Sequence, residues 1–216
     1  MIHKTNIVKP EPKTSTKNTP KLFGLVLSGG ASSRMGTDKG LVNYHGVPQQ
    51  EYLYQLLKEV CEDVFLSIQE KQLTKTPRGF KTIQDQNICK GPFNGIFSAH
   101  EAHTDAAWLV LACDLPFINL EVLQQLVHER DTKKCATSFA NPVTSEPEPL
   151  VCIWEPNGLV KALTFLEDTK NHSPKRFLMG ADIKLVHPKD KDVLFNANSP
   201  SDYDFAKKKL EGQERG

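Results

Sequence analysis

Two stretches of the chain carry unbroken apolar runs, Leu22 to Leu27 (L-F-G-L-V-L) and Ala107 to Ala112 (A-W-L-V-L-A). A run without polar alternation suits a strand buried on both faces, as in a parallel sheet covered by helices. Shorter runs predict strands at Val64 to Ile68, Lys81 to Ile83, Cys135 to Phe139, Leu150 to Ile153, Ile183 to Val186 and Val193 to Phe195. Helical spacing appears between them, at about Pro48 to Val60, Gly95 to His103, Leu120 to His128, Gly158 to Glu167, Pro174 to Met179 and Ser201 to Leu210. Strands alternating with helices predict an α/β layered domain with a mostly parallel sheet. In such a sheet ligands gather beyond the carboxyl ends of the strands.

The first 20 residues break this pattern, being rich in Lys, Thr and Pro and free of large apolar side chains after Val8. Such a segment buries too little surface to offset the entropy of ordering, so 1–20 is read as a flexible tail and 21–212 as one domain. A chain of 216 residues with 38% hydrophobic residues supports one full-sized core. The net charge of +1 offers no broad field for a nucleic-acid backbone or an anionic membrane. The five cysteines are scattered without CxxC or zinc-like spacing, which disfavours a disulfide framework and a structural zinc site. With no apolar stretch of membrane-spanning length and no secretion signal at the N-terminus, the expected location is cytoplasmic. Trp108 and Trp154 sit in strand-like runs and are expected in the packing.

Chemistry concentrates where the first apolar run ends, in Ser28-Gly29-Gly30-Ala31-Ser32-Ser33-Arg34-Met35-Gly36-Thr37-Asp38-Lys39. Paired glycines let backbone N–H groups approach a ligand, and Arg34 and Lys39 add two cations, which together suit a polyphosphate. The loop is neither a Walker loop nor GxGxxG. An ordinary strand-to-helix turn would account for the glycines but not for the two cations beside a buried strand end. After the second run, Asp114 stands in Cys113-Asp114-Leu115-Pro116. A carboxylate at a strand end beside a phosphate site is a natural Mg²⁺ ligand; it could equally cap the following helix.

The stretch Leu27 to Leu41 closely resembles the signature LxGGxSxRMGxDKxL of the molybdenum cofactor guanylyltransferase family, and the resemblance continues in pieces to about residue 205. It implies a Rossmann-like, GT-A-like three-layer nucleotidyltransferase fold, with residues 21–118 binding nucleotide and 119–212 binding the acceptor. It also implies that Leu27, Ser28, Gly29, Gly30 and Lys39 hold GTP, that Arg34 and Lys39 offset phosphate charge, and that Asp114 holds Mg²⁺. Asp85, followed by Gly91-Pro92-Phe93-Asn94-Gly95, resembles the family's Asp followed by Gly-Pro-Leu-x-Gly, implying that Asp85 and Gly91 line the guanine pocket. Asp85 could instead cap a turn. Gln69, in Ser67-Ile68-Gln69, stands where many relatives carry an Asn that contacts the nucleotide.

In the second half, Glu146-Pro147-Glu148-Pro149-Leu150-Val151-Cys152 resembles the family's Pro-Leu-x-Ala strand on the acceptor side. Phe195-Asn196-Ala197-Asn198-Ser199-Pro200-Ser201-Asp202 resembles its FxNxNTPEDL run. Two asparagines two apart on a strand share a face, so Asn196 and Asn198 are expected to bind the acceptor, although Asn198 or Ser199 could cap the last helix. Lys175 and Arg176 fit a solvated helix face better than an acceptor phosphate site.

The resemblance implies transfer of GMP from MgGTP to molybdopterin or the molybdenum cofactor. Other cofactor-biosynthesis proteins and a recipient molybdoenzyme are implied partners; nucleic acid and membrane are not. Three alternatives stay open: a cytidylyltransferase of molybdopterin, a nucleotidyltransferase for a sugar or alcohol phosphate, and a non-catalytic protein that delivers cofactor.

Overall fold

The computed structural model describes residues 19–28, 39–76 and 78–213. Among them a seven-stranded sheet is formed by β1 (Leu22–Leu27), β2 (Asp63–Ile68), β3 (Thr82–Gln84), β4 (Ala107–Ala112), β5 (Ala136–Ala140), β6 (Pro147–Trp154) and β7 (Ile183–Val186). The helices are α1 (Gln49–Lys58), α2 (Pro92–Ala102), α3 (Leu120–His128), α4 (Pro156–Thr169), α5 (Pro174–Gly180) and α6 (Pro200–Gln213). The strand order is β3-β2-β1-β4-β6-β5-β7. Pairings β1/β2, β1/β4, β2/β3 and β5/β7 are parallel, whereas β6 runs antiparallel to both β4 and β5.

The unbroken apolar runs are explained by two cores, one on each face of the sheet. Leu109 and Leu111 of β4 pack with Leu53 and Leu57 of α1 and Leu123 and Leu126 of α3. Trp108 and Val110, pointing the other way, pack with Phe93, Ile96 and Phe97 of α2, Leu159 of α4 and Phe177 of α5. Both tryptophans are fully buried, Trp154 lying against Phe93 and Phe177. Helices on both faces give the expected three layers. Helix α6 lies apart, packing Ala206 against Tyr44, Phe117 and Ala197.

Two local departures have physical causes. Of Val193–Phe195, expected as a strand, Val193 and Leu194 end a short 3-10 helix at Lys191–Leu194 and Phe195 follows it, the helix being started by the Asp190 side chain accepting from the Asp192 N–H at 2.9 Å. Its apolar residues Val193 and Leu194 are buried by helical winding rather than by strand pairing. Strand β6 begins three residues earlier than expected, because Pro147 and Pro149 lie beyond Val151, where pairing with β4 begins. There a missing N–H leaves fewer ladder bonds unmade.

Candidate functional site

The carboxyl ends of β1, β2, β3 and β4 open on one edge, and two groups of polar side chains gather there. The first surrounds Asp114, in the turn that follows β4. Lys39, at the start of a 3-10 helix spanning Lys39–Leu41, donates from Nζ to Asp114 Oδ2 at 3.1 Å and to Asn198 Oδ1 at 2.6 Å. With its amide turned nitrogen-first, Asn196 donates to both carboxylate oxygens of Asp114 at 2.9 and 3.0 Å. The Ala197 N–H between the two asparagines donates to the Asp114 carbonyl at 2.9 Å. Asn196 and Asn198 thus lie not on a strand but in the loop before α6, and both turn toward the Lys39–Asp114 pair.

That loop is held by α6. Asp202 accepts from the backbone N–H groups of Asn198 and Ser199 at 2.9 and 2.8 Å, and these bonds hold its carboxyl below the usual range. Ser199 Oγ accepts from the Asp202 N–H at 3.2 Å. Ser199 therefore performs the capping and leaves the Asn198 side chain to Lys39.

The second group lies at the ends of β1 to β3. Ser28 donates from both its N–H and its hydroxyl to the Ser67 carbonyl, each at 3.2 Å. The Ser67 hydroxyl donates to Asp85 Oδ1 at 2.7 Å. Burial pushes the Asp85 carboxyl above the usual range, and hydrogen bonds from Ser67 and Asn94 work against that rise. Helix α2 begins beside it through Gly91, whose φ of 74° belongs to the left-handed region. One turn on, a Cβ on Gly95 would stand 2.4 Å from Ser67 Oγ and 2.8 Å from Leu27 Cδ2, so only glycine lets α2 seat this closely on the strand ends.

Gln72 is the residue that sequence reasoning missed here. Its Oε1 accepts from the Gln69 N–H at 2.9 Å and its Nε2 donates to the Ser28 carbonyl at 3.1 Å, tying the start of the glycine-rich loop to the chain after β2. The available signal was the Gln69-x-x-Gln72 spacing at a helical start, a capping-box pattern. Gly29, Gly30 and Arg34 lie outside the described residues.

The Asp114 group suits a hard cation. It offers a carboxylate about a fifth exposed and the amide oxygen of Asn198, with no cluster of three or more His, Cys, Asp or Glu among the described residues. Mg²⁺ is held in this manner, by one or two carboxylates completed with water and substrate phosphate. Lys175, by contrast, pairs with Glu146 at 2.6 Å on an open face. Among the described residues no helix is long and apolar enough to cross a membrane.

Comparison with known proteins agrees with this geometry. The model of the MobA-like NTP transferase domain matches residues 24–186. A molybdenum cofactor biosynthesis bifunctional protein from Synechocystis is 37% identical over 94% of this chain, which spans 58% of that relative's length. A probable molybdenum cofactor guanylyltransferase from Flavobacterium johnsoniae is 34% identical, over 62% of this chain and 68% of its own. The crystal structure of molybdopterin-guanine dinucleotide biosynthesis protein A from Archaeoglobus fulgidus superposes with a TM-score of 0.72 at 19% identity, covering 88% of this chain and 99% of that one. A family model matched over residues 24–186, a shared three-layer sheet and a polar edge at the end of β1 lead to one conclusion: the chain belongs to the MobA-like NTP transferase family and is a nucleotidyltransferase.

Proposed function

We propose that the protein transfers GMP from MgGTP to the terminal phosphate of molybdopterin, or of its molybdenum-loaded form, and releases pyrophosphate. The observation that carries this reading is the meeting of Lys39, Asp114, Asn196 and Asn198 at one point, on the same sheet edge as the Ser28–Ser67–Asp85 group. A phosphate oxygen of the acceptor attacks the α-phosphorus, and the bond to the bridging oxygen of pyrophosphate breaks. Because the acceptor phosphate is already anionic near neutral pH, the reaction needs positioning and charge neutralisation rather than a strong base.

Lys39 offsets negative charge on the triphosphate, and Asp114 is the carboxylate that would hold Mg²⁺. A magnesium ion held there supplies Lewis-acid stabilisation of charge on the α-phosphate. Asn196 and Asn198 orient these two groups, which gives them a positioning role before any contact with the acceptor. Ser28 and the backbone amides at Gly29 and Gly30 cradle phosphate, with Arg34 as a second cation. Asp85 accepts from the N1–H and 2-amino donors of guanine, beside Leu27, Gln69 and Gly91. Residues 21–118 form the nucleotide half and 119–212 the acceptor half of one domain, working in the cytoplasm.

Pyrophosphate release measured with GTP and with CTP, each with and without molybdopterin, tests the reading. Release with GTP only when molybdopterin is present is expected. Exclusive use of CTP would overturn the base assignment, and binding of MgGTP with no release under any condition would make the protein a carrier.

A further inference from the structure

Asn196 and Asn198, expected on the acceptor side, are engaged by Asp114 and Lys39, which raises the question of what orients the acceptor's ring system. We propose that Glu148 does so, its carboxylate accepting hydrogen bonds from the neighbouring ring N–H and exocyclic amine of the pterin. This rests on the reading above that the acceptor is a pterin.

The placement follows from the sheet. β6 runs antiparallel to β4, with Leu111 opposite Val151. Asp114 and Glu148 each lie three residues beyond that pair, so the turn after β4 and the start of β6 come to the same edge. The charges of Asp114 and Lys175 both reach Glu148. The start of β6 therefore stands beside the Asp114 group, and Glu148 is its half-buried acidic residue.

The side chain is held ready and left incompletely bonded. Pro147 and Pro149 flank it and fix the backbone on either side, while Ser138 Oγ donates to the Glu148 carbonyl at 3.0 Å. One carboxylate oxygen, Oε1, accepts from the Leu150 N–H at a long 3.3 Å. The other has no hydrogen-bond partner among the described residues. Lys175, the nearby cation, is committed to Glu146 at 2.6 Å instead. Burial works against the charge of Glu148, pushing its carboxyl above the usual range. A carboxylate in that position gains most from paired N–H donors, which neutralise its desolvation without a competing charge.

A pterin offers that pair, since its ring N–H and 2-amino group lie side by side and match two carboxylate oxygens. A sugar or simple alcohol phosphate has no such amidine edge. Glu148 thereby selects the acceptor as well as orienting it.

The test is Glu148→Gln in the full chain. Glutamine keeps an oxygen for the Leu150 N–H, so a role confined to that backbone bond survives, but it turns an NH₂ toward the pterin donors. The expected result is a KM for molybdopterin raised on the order of tenfold to a hundredfold, with the KM for GTP and the melting temperature close to wild type. Glu148→Asp, which keeps the charge on a shorter stem, is expected to recover part of the loss. An unchanged KM for molybdopterin in Glu148→Gln, with a working wild type, overturns this inference and leaves the proposed reaction standing. A wild type that releases no pyrophosphate with GTP and molybdopterin removes the reaction itself, and this inference with it.

Discussion

The two ends of the sheet each carry an ion pair, and the two are built on opposite plans. Where β1 and β4 begin, Arg130 grips Glu155 through two parallel bonds, Nε to Oε1 at 2.6 Å and Nη2 to Oε2 at 2.9 Å. Arg130 also donates to the Pro20 carbonyl at 3.0 Å, and the side chains are only 11% and 1% exposed. At the opposite end, Lys39 meets Asp114 through one contact of 3.1 Å, with the side chains 22% and 21% exposed. The guanidinium is a rigid fork whose Nε and Nη2 donors are taken up by the protein, whereas the ammonium is a point charge on a flexible stem. One pair closes the fold by joining the start of β1 to the residue after β6. The other is partly open to solvent and holds through a single contact.

The sharpest way to break this contrast is to remove one member of the closed pair. Arg130→Met leaves Glu155 buried without its partner, and a stability loss on the order of 3–5 kcal/mol is expected in denaturant unfolding. Turnover per folded molecule should stay near wild type. A variant that unfolds normally but turns over slowly would place this pair in the chemistry instead.

Next in size is the open pair. Lys39→Ala or Asp114→Ala should lower turnover by roughly a hundredfold or more, as expected for losing one preorganised charge-stabilising group. Unfolding free energy should move by less than about 1 kcal/mol, the range for a partly exposed ion pair. Wild-type rates in both variants would end the assignment of this edge as the reactive one.

The contrast also explains what could be read from the chain. The central strands were legible because burial on both faces leaves an apolar run that nothing else in a chain of this composition produces. That Lys39 and Asp114 share one edge was expected because Asp114 stands just past such a run and Lys39 ends the glycine-rich stretch that follows the other. The Arg130–Glu155 pair was not, since charges are solvated by default and only the closed fold brings these two together. Val193–Phe195 was misread because three apolar residues carry no period, and a tight turn begun by Asp190 buries Val193 and Leu194 as well as a strand would. The partners of Asn196 and Asn198 were hidden for a related reason. Lys39 and Asn198 stand 159 positions apart, and their meeting depends on how Asp202 holds the loop before α6.

A finer effect lies at the ends of β1 and β2 on the same open edge, where Gln72 bridges the Ser28 carbonyl and the Gln69 N–H. Both bonds join backbone groups of neighbouring strand ends, so losing them loosens Ser28 and the chain after β2 without removing a charge. Two neutral hydrogen bonds of this kind contribute about 0.5–1.5 kcal/mol each. Gln72→Ala is therefore expected to raise the KM for GTP by roughly fivefold to tenfold, while turnover at saturating GTP stays within about twofold. Gln72→Glu keeps the acceptor for Gln69 but sets a carboxylate oxygen against the Ser28 carbonyl. If positioning of Ser28 is the bond that matters, Glu should bind GTP no better than Ala does. Should Glu instead restore wild-type affinity, the bridge acts through Gln69 alone, and Ser28 owes its placement to Ser67.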